Sequence, residues 1–285
     1  MPVIKGIDVS NHQERIDWSR VKAEGIAFAY VKASEGQTFV DPKYQAHVTG
    51  ARSVGIKTGA YHFARPDTNS TDPAKDARAE ADFFLSLAAP RSGDLLPALD
   101  LETGGLPAAD MVVWTRAWLD RVRRTTGTRP LLYTYPYFWE QMGQTTSFRN
   151  YPLWIANYGV SEPMLPAGWR RYSVWQYSAS GTVDGIPGRT DVNRLADGVK
   201  LSDLVYRAGK RPAAPPAQNL PGPVPKPEWF WPWLRWRLGV GEFVGLGMNK
   251  RVRPDEAPAE VPTWAFACVE KLASERSSGT RQPRS

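Results

Sequence analysis

The fold class of this chain is decided by residues 95–102, which read Leu95-Leu96-Pro97-Ala98-Leu99-Asp100-Leu101-Glu102. The run before Asp100 is apolar, which is typical of a buried strand. Asp100 and Glu102 lie two positions apart, so on a strand both side chains point to one face, with Cα atoms roughly 6.6 Å apart. Leu101 points to the opposite face, where it can pack beneath a helix. This stretch therefore predicts a buried strand that presents two acids to one site.

Short strand-like runs alternate with helical patterns through the front of the chain. The predicted strands are Val3–Asp8, Ile26–Lys32, Lys57–Phe63, Leu95–Glu102, Pro130–Tyr135, Leu153–Tyr158 and Tyr172–Tyr177. Apolar residues at helical spacing predict helices at Asp17–Glu24, Pro42–Val54, Ala74–Ala88 and Ala108–Arg124. Such alternation implies a parallel sheet, either doubly wound or closed as a barrel. Because long helices become rare after Arg124, we expect an α/β barrel of five βα units followed by strands with little helix between them.

Acidic residues recur where the predicted strands end. Asp8 closes the first strand, Asp100 and Glu102 close the fourth, and Asp191 lies in the last segment of this kind. In parallel barrels the carboxyl ends of the strands form the rim at which active sites are built. Crowded carboxyl groups cannot all ionise cheaply, so we expect mutual repulsion to keep one of them protonated near neutral pH. A protonated carboxyl group beside ionised ones suits glycoside hydrolysis. The pair of acids alone also fits a solvated strand edge, a metal site or an ion pair.

Other candidate site residues are less specific. Aromatic residues near the strand ends suit the flat faces of sugars, although core packing explains many of them equally well. The three histidines lack the spacing of a zinc site, but His62 could line the rim. Lys32, among so many acids, is expected to be an ion-pair partner in the barrel mouth. No phosphate-binding loop or nucleophile elbow occurs, and we predict no metal and no cofactor.

Composition divides the chain into parts. It has 285 residues, 42% hydrophobic and 23% charged, which excludes global disorder, and its single cysteine excludes an internal disulfide framework. Eight prolines between Arg211 and Pro232 predict a semi-rigid linker. We therefore predict a barrel domain at 1–209, a linker at 210–228, a Trp-rich basic module with two short helices at 229–273, and a disordered tail at 274–285.

The positive charge is concentrated behind the barrel domain. The whole chain carries +7, and residues 210–285 hold 12 Lys and Arg against 7 Asp and Glu, which leaves 24 against 22 in the front part. A nearly neutral front part gives little support to nucleic-acid binding. No stretch approaches the ~20 apolar residues of a membrane span, and the start of the sequence lacks the features of a signal peptide. We expect no membrane insertion and synthesis in the cytosol.

A series of motifs in order along the front part resembles a known family. They are Gly6-Ile7-Asp8-Val9-Ser10, Ile16-Asp17-Trp18, Lys32-Ala33-Ser34-Glu35-Gly36, Gly59-Ala60-Tyr61-His62-Phe63, Asp100-Leu101-Glu102, Leu153-Trp154-Ile155-Ala156, Trp175-Gln176-Tyr177 and Asp191-Val192-Asn193. Together they are similar to the family 25 glycoside hydrolases, the lysozymes that act as N-acetylmuramidases on peptidoglycan. The resemblance implies a flattened, TIM-like (β/α)5(β)3 barrel and cleavage of the β-1,4 bond from N-acetylmuramic acid to N-acetylglucosamine.

The same resemblance implies residue roles. Glu102 would be the proton donor, and Asp100 would act either as the nucleophile or by orienting the 2-acetamido group of the substrate. Asp8 and Asp191 would tune Glu102 and hold substrate hydroxyls. The residues implied to line the substrate groove are Tyr61, Tyr133, Trp175 and Gln176. Ser34 stands where the family usually has threonine, which removes a methyl group and should leave the chemistry intact.

The resemblance does not extend to the tail. Five tryptophans and a +5 charge suggest that 229–273 binds an anionic cell-wall polymer, although a module whose tryptophans only form its own core is equally plausible. We expect a phage endolysin that is stored in the host cytoplasm and reaches the wall at lysis. A lysin that is carried in the phage virion is the alternative within the same enzyme class. The alternative from another class is a catalytically silent, wall-binding barrel, which the retained acids disfavour.

Overall fold

Eight strands close into a barrel in the computed structural model, which describes residues 3–67 and 71–207. The predicted linker, Trp-rich module and tail lie outside the described residues. In chain order the elements are β1 (Lys5–Val9), α1 (Trp18–Ala23), β2 (Ile26–Glu35), β3 (Phe39–Val40), α2 (Tyr44–Ser53), β4 (Lys57–Phe63), α3 (Pro73–Ala88), β5 (Ala98–Asp100), α4 (Ala108–Thr126), β6 (Leu131–Thr134), α5 (Pro136–Gln141), β7 (Leu153–Ala156), β8 (Val174–Gly181), β9 (Thr190–Leu195) and a 3₁₀ turn (Leu201–Asp203).

The strand order confirms the predicted barrel. Going around it, the strands are β1, β9, β8, β7, β6, β5, β4 and β2, and pairing of β1 with β2 closes the ring. Neighbours are parallel except around β9, which runs antiparallel to both β8 and β1. Five strands are each followed by a helix before the next barrel strand, and β7, β8 and β9 complete the (β/α)5(β)3 arrangement. No helix among the described residues is long and apolar enough to cross a membrane.

Two short elements and one strand boundary differ from the predictions. The hairpin strand β3 and the six-residue helix α5 are too short to produce a periodic pattern. Strand β5 covers only the middle of the predicted Leu95–Glu102: it begins after Pro97, which has no N–H to donate to a neighbouring strand, and it ends at Asp100. Leu95 instead forms an isolated bridge with Val205. Glu102 therefore lies two residues beyond the strand, on the rim.

Aromatic rings that lie over glycines fill the barrel interior. Phe28 of β2 pairs with Gly6 of β1, and a Cβ atom at Gly6 would lie 2.3 Å from the Phe28 ring. Tyr30 pairs with Gly59 of β4, where a Cβ atom would lie 2.4 Å from Tyr30 Cε1. Trp154 packs against Tyr30, with ring centroids 4.8 Å apart. Large rings fit inside an eight-stranded barrel only where facing positions are small. The result is a solid apolar floor beneath the rim.

A second apolar layer lies between the strands and the helices. Leu101 is fully buried there, as the sequence predicted, in a cluster that includes Trp114 and Trp118 of α4. Local signals stabilise the helix ends: Asp17 caps α1 and Asp72 caps α3, each accepting two backbone N–H groups. These helices hold the strands, and hence the rim, in a fixed register.

His62 belongs to this outer layer, so the prediction that it lines the rim is wrong. Alternation on β4 turns Tyr61 into the barrel and His62 out of it. The His62 ring stacks on Trp118, with centroids 5.6 Å apart, and contacts Ser34 Oγ at 2.9 Å through Nδ1 and Glu80 Oε2 at 2.7 Å through Nε2. Burial lowers the pKa of His62 to about 3 and raises that of Glu80 to about 8. The pair is therefore neutral at neutral pH.

Substituting Gly59→Ala should destabilise the barrel by about 1–3 kcal/mol, the usual cost of inserting a methyl group into a filled core. The measurement is urea unfolding followed by tryptophan fluorescence. The penalty should shrink in a Tyr30→Leu background, because the ring that the new methyl group meets is then gone. An undiminished penalty in that background would show that the ring is not the obstacle.

Glu80 should contribute a fall in the free energy of unfolding as pH rises from 4.5 to about 8, the interval between its ordinary and its folded-state pKa. In this range the folded chain keeps a proton on Glu80 that the unfolded chain releases, whereas the lowered pKa of His62 contributes an opposing rise below pH 6.5. Glu80→Gln retains a neutral hydrogen-bonding group and removes the contribution of Glu80, so the slope of the variant should be less negative than that of the wild-type chain in urea titrations across the range. The exposed substitution Glu140→Gln serves as the control and should keep the slope. An unchanged slope in Glu80→Gln would contradict the assignment.

Candidate active site

The four predicted acids converge at the carboxyl end of the barrel. Asp8 lies near the end of β1, Asp100 ends β5, and Glu102 follows two residues later. Asp191 lies at the start of β9, which reaches the same end because β9 runs antiparallel to its neighbours. Asp8 and Asp191 are directly opposite in the β1–β9 register. Residues more than 180 positions apart are thus brought to one site by strand direction alone.

Asp8 is buried and fully hydrogen-bonded. Its Oδ2 accepts from Nδ2 of Asn193 at 2.7 Å and from Nε2 of Gln176 at 2.9 Å. It also shares a hydrogen bond with Asp191. Burial raises the pKa of Asp8 well above its ordinary value, and the charge of Asp191 adds to the shift. The hydrogen bonds from Asn193 and Gln176 oppose this shift in the pKa of Asp8.

Asp100 differs from Asp8 because one of its oxygens has no partner. Asp100 is 7% exposed, and among the described residues its Oδ1 is buried without a hydrogen bond. Burial raises the pKa of Asp100 well above its ordinary value, followed in size by the charges of Glu102 and Asp8. A buried acceptor without a donor is costly in a free protein. This buried oxygen can therefore accept an N–H or O–H from a ligand.

Glu102 is the half-buried acid at the open side of the cluster. Burial raises its pKa, while the Tyr133 hydroxyl, 3.4 Å from Oε2, opposes the shift. For Asp8, Asp100, Glu102 and Asp191 alike, burial is the largest cause of the raised pKa. This corrects the expectation that mutual repulsion is the main cause: the apolar floor that displaces water contributes more than the neighbouring charges.

A cationic group balances the acids on the β2 side. Lys32 Nζ binds Glu35 Oε2 at 2.5 Å, and Arg65 Nε binds Glu35 Oε1 at 2.7 Å. The Lys32 ammonium lies over the rings of Phe63 and Phe39, at 4.7 and 5.5 Å from their centroids. Lys32 lowers the pKa of both Asp100 and Glu102 against the larger effect of burial. The sequence interpretation of Lys32 as an ion-pair partner in the barrel mouth agrees with this geometry.

The predicted groove residues divide into two groups. Tyr61, Tyr133 and Gln176 point into the barrel beside the acids. Gln176 Oε1 accepts from the Tyr133 hydroxyl at 3.0 Å while Nε2 donates to Asp8, so this amide joins the two halves of the cluster. Trp175 does not line the groove as predicted. Alternation on β8 turns it outward, where it is 2% exposed and its Nε1 donates to the Asn157 carbonyl at 2.8 Å.

Two further residues contact the cluster without having been singled out. Asn193 bridges Asp8 to Trp154, whose Nε1 donates to Asn193 Oδ1 at 2.8 Å. Its position two residues after Asp191 on one strand was the available signal, because such residues share a face. Tyr158 donates its hydroxyl to Gln176 Oε1 and is 46% exposed. It lies two residues beyond β7, at the end of the predicted strand Leu153–Tyr158, and its signal was that it is one of the aromatic residues near the strand ends.

Comparisons with known proteins agree with this arrangement. The model of the family "Glycosyl hydrolases family 25" matches residues 7–186. Lysozyme M1 of Streptomyces globisporus is 38% identical over 206 residues, which cover 67% of this chain and 67% of that protein. The crystal structure of a lysozyme from Streptomyces coelicolor superposes with a TM-score of 0.66 and 34% identity, covering 74% of this chain and 99% of that one. The CTP1L endolysin superposes with a TM-score of 0.57 and 30% identity, covering 68% and 67%.

The matched range begins one residue before Asp8 and contains Asp100 and Glu102, while Asp191 follows it. The covered part of the chain is the barrel, and it corresponds to almost the whole of the Streptomyces coelicolor enzyme. On the strength of the family match, the sequence identities and the shared fold, this chain belongs to glycosyl hydrolase family 25 and is a glycoside hydrolase of the lysozyme type.

Proposed function

We propose that this enzyme hydrolyses peptidoglycan at the β-1,4 bond between N-acetylmuramic acid and N-acetylglucosamine. One observation carries the proposal: the half-buried Glu102, with a raised pKa, lies at the open side of the acid cluster, and its neighbour Asp100 is more deeply buried. A carboxyl group that keeps its proton at neutral pH can give it to the glycosidic oxygen as the bond from that oxygen to the anomeric carbon breaks. The resulting Glu102 carboxylate then takes a proton from the water that attacks the anomeric carbon.

Asp100 supports the acetamido-assisted form of this reaction better than the covalent form. Its buried Oδ1 has no donor among the described residues, and the N–H of a 2-acetamido group would supply one. We infer that Asp100 orients and polarises the acetamido group, whose carbonyl oxygen attacks the anomeric carbon. Trapping of a glycosyl ester on Asp100 would overturn this inference.

Aromatic side chains flank the acids on the side of β6 and β7. Tyr158 is 46% exposed and Tyr137 is 64% exposed, while Tyr135 is half-buried and close enough to Glu102 for that charge to raise its pKa, after burial. On the opposite side, Phe39 is 41% exposed beside Lys32. Rings with exposed faces on both sides of a carboxyl cluster suit a long glycan that passes across it. This favours an enzyme that acts within a polymer.

We further propose an endolysin role, with storage in the host cytoplasm and action at the cell wall after release. The likeness to the CTP1L endolysin supports it. The test is expression of the full chain inside bacterial cells with and without a membrane-opening protein. Lysis that requires the membrane to be opened supports the role, and lysis without it contradicts the role.

Binding of an anionic wall polymer by residues 229–273 remains a proposal supported by the charge of +5 in residues 210–285 and the five tryptophans. Its test compares sedimentation of the full chain and of residues 1–209 with purified sacculi. Equal sedimentation of both would contradict it.

Glu102→Gln should leave the fold intact and lower turnover by about 10²–10⁴-fold, because an amide of equal size has no proton of suitable acidity to give. The measurement is digestion of purified peptidoglycan, with mass spectrometry of the new reducing ends. The wild-type enzyme should produce N-acetylmuramic acid reducing ends. Glu140→Gln, an exposed change on α5, is the matched control and should retain full activity. Undiminished activity of Glu102→Gln would show that Glu102 is not the proton donor.

Tyr133→Phe should move the alkaline limb of the pH–rate profile to higher pH. The Tyr133 hydroxyl lowers the pKa of Glu102 by bonding its carboxylate, so its removal raises that pKa. Because the proton donor must be protonated, activity then persists to higher pH. Tyr44→Phe, on α2 outside the cluster, is the control and should leave the limb in place. A limb that does not move, or moves to lower pH, would contradict the role of Glu102 as the acid.

A further inference from the structure

Six arginines surround a broad concavity at the opposite end of the barrel from the acids. They are Arg123, Arg129, Arg149, Arg170, Arg171 and Arg207, and all six are exposed. Their place follows from the topology, because the segments that precede the parallel strands β6, β7 and β8 all meet at the amino end of the barrel. Strands in this row are about 4.8 Å apart, so successive loops present their charges side by side. We call this surface the basic pole.

The basic pole has unneutralised charge. Among residues 3–67 and 71–207, five of the six arginines have no carboxylate within ion-pair distance, and Arg123 alone contacts one, Asp120 at 3.4 Å. Three acidic side chains share the concavity, which leaves an excess of three positive charges. Like charges gathered without counter-charges favour an anionic partner.

The arginines stand on braced loops. Gly168, with φ of +95°, brings the backbone two residues before Arg170 against Arg149, because a Cβ atom there would lie 3.3 Å from Arg149 Cβ. Trp169 fixes this approach by donating Nε1 to the Tyr151 carbonyl at 2.9 Å. The same two segments are also joined by the Ala167 N–H, which donates to Gln144 Oε1 at 3.2 Å. The backbone that carries Arg149 and the backbone before Arg170 and Arg171 are therefore held against each other, which reduces the backbone entropy that a ligand would have to remove.

We propose that the basic pole binds a phosphodiester-linked anionic polymer of the cell wall while the acidic rim acts on the glycan. Guanidinium groups match phosphate oxygens in geometry and stay charged at every relevant pH. A polymer with regularly repeated phosphates can contact several loops at once, whereas a single phosphate can contact only one or two arginines. The choice of a wall polymer, rather than another polyanion, rests on the proposed function. Because the two sites are at opposite ends of the barrel, binding at one leaves the other open.

The test uses the full chain and synthetic poly(glycerol phosphate), with affinity measured over a range of salt concentrations. The variant Arg149→Gln, Arg170→Gln, Arg171→Gln should bind at least about tenfold more weakly and show a salt slope smaller by roughly two. The control variant Lys22→Gln, Lys75→Gln, Arg78→Gln loses the same charge at exposed positions outside the concavity. It should bind within about twofold of the wild-type chain. Equal binding by both variants would overturn the proposal.

Two further arms separate the possible outcomes. Duplex DNA and vesicles of anionic phospholipid serve as competing polyanions, and equally strong binding of either, with the same loss in the basic-pole variant, would overturn the assignment to a wall polymer. Hydrolysis of peptidoglycan stripped of attached polymer should be the same in all three proteins. If none of them hydrolyses it, the proposed function fails while the polymer measurement still reports on the basic pole.

Discussion

Removal of water from four carboxyl groups is the constraint on which the site depends. The barrel interior beneath them is filled by a buried cluster that includes the rings of Phe28, Tyr30 and Trp154. A low-dielectric floor disfavours the charged form of every acid above it. Because the rings are admitted only by glycines on the facing strands, the protonation of the acids depends on positions that never contact them. Core packing and acid chemistry are in this sense a single property of the barrel.

The acids of the cluster differ in how many hydrogen-bond donors contact them. Asp8 has two amide donors and a carboxyl partner, so its orientation is complete without substrate. Within residues 3–67 and 71–207, Asp100 has a buried oxygen without a donor, and Glu102 accepts a long hydrogen bond from Tyr133 at the open side. A satisfied acid is suited to hold geometry, whereas an unsatisfied one gains most from a ligand. The number of hydrogen-bond donors around each acid therefore separates Asp8, which holds the geometry, from Asp100 and Glu102, which are open to the substrate.

The strand ends and their acids could be predicted because period-two alternation is a local property of the chain. The same rule, applied more strictly, would have turned Trp175 and His62 outward, since each is adjacent to a residue that points inward. Partners joined across the barrel, such as Asn193 with Trp154, depend on strand register and are not encoded by any local pattern. The cause of the pKa shifts was also inaccessible, because a sequence shows which charges exist but not how much water is excluded around them.

The two ends of the barrel carry opposite kinds of charge for one topological reason. In a parallel barrel every segment after a strand reaches one end and every segment before a strand reaches the other. This chain has its clustered acids mainly after strands and a row of arginines before them, so a domain that is nearly neutral overall is locally polarised. An ionised acid cluster would repel an anionic wall. Burial raises the pKa of those acids and so reduces their negative charge at a given pH, which means that the desolvation that prepares the proton donor also weakens the repulsion of a negatively charged polymer.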